Sequence, residues 1–281
     1  ITAPGDDVYA ALPGGYGWMG GTSMSGPQVA GGAALIRAVH PTWSPIEVKS
    51  ALMLSANTVG TKDGINGTPN TGPWDADDVG NGRMDLAKAV KAGLVMNETV
   101  ANFTTANPSA TPAGDVRTLN LPSMRDVACT PTCTWTRTVR NTLGTASSWT
   151  VSGSGSDVNI SVSPSTFSFT GNTNETRVLT ITASPNGVQT ARVAFGQVNL
   201  TEVGGQSPML HMPVAVRGTG PATSPVIQVT PTLVSGVASQ GDTAPIASTL
   251  RISNIGGQAL AWEKADDGTV NFPEAALVDQ A

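Results

Sequence analysis

The stretch Gly20-Gly21-Thr22-Ser23-Met24-Ser25-Gly26-Pro27-Gln28-Val29-Ala30-Gly31 places a serine where a glycine-rich loop runs into an apolar helix. Unpaired amides at a helix N-terminus, and the positive end of its dipole, stabilise negative charge growing on a nearby oxygen. The glycines let another backbone approach closely, and Pro27 fits where first-turn amides have no helical acceptor. From 27 to 39 nearly every residue is small or apolar, so the predicted helix is apolar on all sides and expects cover from a larger α/β body. A second helix starts with Ser44 as N-cap, Pro45 at the first position and Glu47 closing a capping box. A third runs over about 85–92, with Asp85 at its positive end, Lys88 and Lys91 toward its negative end, and Gly93 as its stop. Three helices with almost no strands amount to half of a domain.

Beyond a Pro/Ala/Thr-rich linker at 107–114 the pattern changes to a period of two. Strands are predicted at 116–121, 134–140, 148–151, 158–162, 166–169, 177–182, 191–200 and 210–216, with turns such as Ser163-Pro164-Ser165 between them. That is the pattern of an antiparallel β-sandwich. A second linker, 218–225, precedes three more strands at 226–229, 249–253 and 259–263, too few to close a sandwich. The expected fold is therefore multidomain: an incomplete α/β unit over 1–98, a sandwich over 99–220, and a partial Ig-like module or tail over 221–281. Cys129 and Cys133, the only cysteines, are too few for a four-ligand zinc site; a short-loop disulfide is the preferred reading, with two buried free thiols as the alternative.

The 281 residues are 39% apolar and 12% charged, with a net charge of -5, the balance of an exported β-rich protein. No basic stripe offers counter-ion release, so nucleic acid is not an expected partner. The longest apolar stretch, 29–39, is broken by Gly31, Gly32 and Arg37 and is too short to span a membrane. The start Ile1-Thr2-Ala3-Pro4-Gly5 has no signal-peptide pattern and reads as a strand end running into a turn, from which sequence upstream is expected.

Gly21-Thr22-Ser23-Met24-Ser25-Gly26-Pro27 resembles the active-serine motif of the subtilisin-like proteases. Three further matches lie in order around it: Ile1 to Gly5 resembles the segment before the serine loop, Ala38-Val39-His40-Pro41-Thr42-Trp43-Ser44-Pro45 the link to the next helix, and Gly80-Asn81-Gly82-Arg83-Met84-Asp85 the motif closing the domain. The sandwich resembles the fibronectin-III-like domain that follows the catalytic domain in many subtilases, through Leu119 to Ser123, Thr136 to Asn141 and Val162 to Thr166; the Cys129 to Cys133 insertion departs from it. The resemblance implies a secreted serine endopeptidase acting on polypeptides, with Ser23 as nucleophile and backbone oxyanion donor, Gly21 and Thr22 shaping the substrate loop, and no cofactor or metal. Gln28 stands where the family usually has histidine.

The family orders its triad Asp, His, Ser, with an amide donor for the oxyanion between the last two. Here twenty-two residues precede Ser23, and none is His or Asn. His40 matches a structural position and His211 lies in a predicted strand, so neither is expected to act as base, and the chain alone is expected to be inactive. Asp75, Asp77 and Asp78 read as a solvated loop or, less readily, part of a calcium loop. The alternative is a non-catalytic secreted β-sandwich binding protein with a relic protease segment. Oligomeric state and specificity are not legible.

Overall fold

The computed structural model describes residues 1–61, 72–186 and 192–218, together with the backbone of four short strands beyond them. A hairpin opens the chain, β1 (Val8–Leu12) pairing antiparallel with β2 (Gly15–Met19). The sequence reading missed it, although Pro13-Gly14 between two aromatic-bearing runs was the signal. Then follow α1 (Thr22–Val39), α2 (Pro45–Leu54), α3 (Ala76–Val79), α4 (Leu86–Ala89), β3 (Leu94–Val95) and α5 (Val100–Thr105). Ser44 and Glu47 form the predicted capping box of α2. The predicted third helix is shorter, spanning one turn capped by Asp85.

The sandwich is built from β4 (Met124–Asp126), β5 (Cys133–Asn141), β6 (Ser147–Gly155), β7 (Val158–Ser163), β8 (Thr166–Phe169), β9 (Thr176–Pro185), β10 (Ala194–Glu202) and β11 (Leu210–Val216). One sheet runs β4-β11-β10-β6-β8, the other β3-β5-β9-β7. Inward residues alternate along β5, where Trp135, Arg137, Val139 and Asn141 are buried, whereas β11 is buried on both faces. Trp149 stacks on Phe167, whose ring meets Phe169 edge to face, and Arg177 lies over the Phe169 ring at 4.9 Å.

Three expectations need correction. The sandwich is not wholly antiparallel, because β4 pairs with β11 in parallel. Residues 116–121 are not a strand: Asp115 caps a 3-10 turn at Val116–Thr118, and the carbonyls of Arg117, Leu121 and Ser123 are claimed by the Arg137 guanidinium rather than by a neighbouring strand. Helix α1 is covered on one side only, with Gly32 and Ile36 buried while Leu35 and Val39 are exposed.

Packing also crosses the expected division at 98/99. Strand β3 lies before that boundary yet is the edge of the second sheet, and Leu94, Val95 and Met96 are fully buried. Gly93 is gripped from both sides, donating to Ser207 Oγ at 2.9 Å and accepting from the Thr142 amide at 3.0 Å. One apolar cluster runs without a break from Ile36 and Leu52 through Leu94 to Val216. A piece beginning at residue 99 therefore loses three buried side chains worth roughly 1.5–3 kcal/mol each. We expect residues 86–218 to unfold at a clearly higher urea concentration than residues 99–218; equal midpoints would refute the shared core.

Two polar anchors stitch the same seam. Glu47 accepts from the Ser44 amide at 2.8 Å and from Arg140 Nε of β5 at 2.7 Å, both side chains being largely withdrawn from solvent. Glu47→Ala removes a cap and strands part of a buried charge, so a loss of about 3 kcal/mol is expected in urea denaturation; a change under about 1 kcal/mol would contradict this account. Glu98 accepts from the Thr99 and Asn120 amides and from Asn102 Nδ2. Burial pushes its carboxyl up, but these bonds, led by that from Asn120, and the charge of Arg137 outweigh it and hold it below 4.5. Its contribution is present above the ordinary glutamate range and is lost as pH falls through the lowered folded value.

The predicted third module falls largely outside the described residues. Within it, backbone pairing joins Ile227–Thr230 to Arg251–Asn254 and Glu263–Lys264 to Val270–Asn271. Cys129 and Cys133 are joined by a disulfide.

Candidate active site

Helix α1 begins at Thr22, five residues earlier than the apolar run suggested, so Ser23 is the second residue of the helix rather than part of the loop before it. Gly21 is the N-cap, with φ 133°, a left-handed-side conformation that only glycine adopts without strain, and no side chain caps the helix. Met24 and Ser25 donate to the Gly21 carbonyl. The Ser23 amide lies too early in the helix to have an acceptor four residues back within it. Pro27, in the second turn, has no N–H to offer the Ser23 carbonyl. Ser23 is exposed.

The loop is held from one side by the chain start. Gly21 donates to the Gly5 carbonyl at 2.6 Å, and a Cβ on Gly5 would stand 2.9 Å from both the Gly21 carbonyl and Ser25 Cβ. Only a glycine permits that approach. Gln28, the departure from the family pattern, donates its side-chain amide to the Pro4 carbonyl at 2.6 Å, pinning the same segment to α1. Further back, Thr2 donates to Gly82 and accepts from Met84, both at 2.9 Å, while Asn57 and Arg83 exchange backbone bonds at 2.7 and 2.9 Å. Three of the four sequence matches, 1–5, 20–31 and 80–85, are thus linked through the chain start, which bonds to the serine loop at Gly5 and to the 82–84 turn at Thr2.

Both histidines of the chain are engaged elsewhere than at Ser23. His40 ends the same helix, about 25 Å away by the helical rise. Its ring stacks on Trp43 at 3.9 Å and its Nε2 bonds to the Val90 carbonyl at 2.8 Å. His211 is on β11, 4% exposed, with Nε2 2.8 Å from the Asn81 carbonyl. The acidic cluster is built into α3: Asp75 caps it by accepting from the Asp77 and Asp78 amides, Asp78 accepts from the Asp75 amide, and Asp77 pairs with Arg125. No group of three or more metal-ligating side chains occurs among the described residues. No helix among them is long and apolar enough to cross a membrane.

The β1–β2 hairpin ahead of the serine loop carries an aromatic row the sequence reading did not single out. Tyr9 stands 5.8 Å from Tyr16 and 4.9 Å from Trp18, ring to ring, all three exposed on the β1–β2 hairpin. Strand periodicity alone could have found it, since Tyr16 and Trp18 are two residues apart.

Residues 1–82 match the subtilase family and residues 118–216 match a fibronectin type-III domain. Three Arabidopsis thaliana proteins align with the chain. Subtilisin-like protease SBT3.16 is 41% identical over 34% of this chain and 13% of its own length; SBT3.17 is 33% identical over 53% and 22%. The CO(2)-response secreted protease is 31% identical over 37% and 15%. The chain thus spans less than a quarter of the length of these relatives. With the serine loop, the chain start and the 80–85 turn joined as described, residues 1–82 are similar to the subtilase family, and a fibronectin type-III-like domain follows them.

Proposed function

We propose that Ser23 is the nucleophile of a serine endopeptidase acting on polypeptide substrates outside the cell. The observation that carries this reading is an exposed serine in the first turn of an 18-residue helix, its own amide free of a helical acceptor, on a loop braced by Gly5 and Gln28. Ser23 Oγ attacks the peptide carbonyl carbon while a base takes its proton, the C–N bond breaks as the amine of the C-terminal product leaves with that proton, and water hydrolyses the acyl ester to release the acid and restore the serine. As the carbonyl oxygen becomes an oxyanion, the Ser23 amide and the positive end of α1 stabilise it. Gly21 and Thr22 shape the loop beside the scissile bond.

The acid-base work falls to groups outside this chain. Both of its histidines are committed to backbone carbonyls away from Ser23. The apolar side chains Leu35 and Val39, exposed on α1, are where the remaining body of a peptidase domain would pack. We read 1–98 as the peptidase segment, though its last strand serves the sandwich, 99–220 as the fibronectin-III-like domain, and 221–281 as part of a further Ig-like module. Export is supported by the composition and by the name of the secreted relative. The test is labelling with a fluorophosphonate: the purified chain is expected to stay unmodified, and rapid modification of Ser23 would show that no outside base is needed.

A further inference from the structure

One edge of β5 pairs with β9, and the other is closed in turn by β3, Asn120 and Arg137. Val95 of β3 pairs with Arg140, and just beyond it Thr142 donates to the Gly93 carbonyl. The Asn120 side chain accepts from the Thr138 amide at 2.7 Å and donates to the Thr138 carbonyl at 2.8 Å. Arg137 then takes the Thr136 carbonyl at 2.9 Å. In an antiparallel ladder the backbone groups of successive residues point to opposite sides of the strand. Thr138 bonds away from β9, so the Thr134 and Thr136 amides also point off that edge of the sheet. Neither amide has a partner among the described residues.

The open stretch lines a cavity of about 410 Å³, a size ordinary for a ligand site. Asp115, Arg117, Asp126 and Thr132 line it too. Trp135, between the two threonines and also on the lining, is 2% exposed. Its Nε1 is the one buried side-chain donor left without a partner among the described residues. An indole nitrogen only donates, so what it lacks is an acceptor. The Cys129–Cys133 disulfide ties the chain at the start of β5, so the edge is held in place before anything binds.

The charge of the lining favours a cation. Two carboxylates, Asp115 and Asp126, share the single guanidinium of Arg117. The Asp126 side chain is 6% exposed, whereas that of Asp115 is 44% exposed and open to a further partner. An unpaired strand edge recruits extended chain through main-chain bonds, with alternate guest side chains on one face. A saccharide offers hydroxyls to such a cavity but no repeat of N–H and C=O that matches the edge. We propose that this opening is a docking site for an extended polypeptide segment, which adds as a strand at Thr134 and Thr136 and sets a basic side chain beside Asp115. The site lies wholly on the fibronectin-III-like domain and does not depend on Ser23 being a nucleophile.

The experiment is a titration of the full chain, labelled with nitrogen-15, with acetyl-Thr-Val-Lys-Val-Thr-amide, followed by NMR. The Trp135 indole signal and the Thr134 and Thr136 amides are expected to shift together and saturate, while the indole of Trp149, bonded to Ser147, stays still. The same peptide N-methylated at its three central amides keeps its side chains and is expected to bind about tenfold or more weakly, the worth of a main-chain bond or two. Glutamate in place of the lysine is expected to weaken binding about fivefold or more, the upper worth of an exposed ion pair. Thr136→Pro removes an edge donor without touching the ladder to β9, and is expected to abolish the shifts. Should that variant fail to fold, the methylated peptide makes the same test from the guest's side. No shift at millimolar peptide, binding undiminished by methylation, or a glutamate peptide that binds as well would each overturn the proposal. So would a response of these signals to cellobiose and not to the peptide, which would make the guest a saccharide. Shifts that follow protein concentration with no peptide added would put a second copy of the chain on the edge and overturn it equally.

Discussion

Replacing Arg137 by alanine is expected to cost about 3–5 kcal/mol, a large share of the stability of an ordinary domain. Arg137 is 2% exposed in the middle of β5 and is paired with no carboxylate among the described residues. Instead it donates to the carbonyls of Leu121 at 2.8 Å, Thr136 at 2.9 Å, Ser123 at 3.1 Å and Arg117 at 3.2 Å. Burial pushes its pKa down to about 10, with the charge of Glu98 opposing, which still leaves it a cation at neutral pH. One side chain thus organises the whole irregular run from Arg117 to Ser123. Without it several carbonyls lose their donors where solvent is scarce, at a cost of about 1–3 kcal/mol for each left unsatisfied. Arg137→Lys keeps the charge but cannot fan out to carbonyls on separate turns, so it too should be destabilised. Urea denaturation followed by tryptophan fluorescence checks both; a loss under about 1 kcal/mol for Arg137→Ala would mean the fan contributes little.

In a longer polypeptide that supplies the acid-base partners, Ser23→Ala is expected to lower kcat on peptide substrates by roughly 10⁶, the loss that follows removal of the serine from a subtilisin triad. KM should change little, because the hydroxyl acts on the reacting carbon rather than on the bound ground state. Residual turnover would come from the oxyanion donors and from binding, which the substitution spares. Retention of more than about a hundredth of the rate would place the nucleophile elsewhere. The structural cost is small, since Ser23 is exposed and caps nothing.

The readable part of the candidate site was its local chemistry. Gly20 to Gly31 carries a glycine cap, a serine and a helix in one continuous run, so position along the chain already sets position in space. What could not be read was the brace. Gly5 with Gly21, and Thr2 with Gly82, are tied by backbone bonds between segments far apart in sequence, and backbone groups look alike in every residue. Gln28 showed the same limit: it stood out as a departure from the family pattern, but its bond to Pro4 depends on how the chain start crosses α1.

By itself the sequence determined whatever depends on neighbours within a few residues: the Ser44–Glu47 capping box, the alternation along β5 and β8, and a helix behind Ser23. Those signals survive because capping and pleating are short-range. Tertiary structure alone decided that Leu94–Val95 joins a sheet on the far side of the predicted boundary, that Arg137 bends residues 117–123 out of a strand, and that His211 closes on Asn81. Each of these is a long-range contact between a buried polar or apolar group and backbone brought to it by the rest of the fold, and no local pattern of residues encodes which distant carbonyl or strand edge will arrive there.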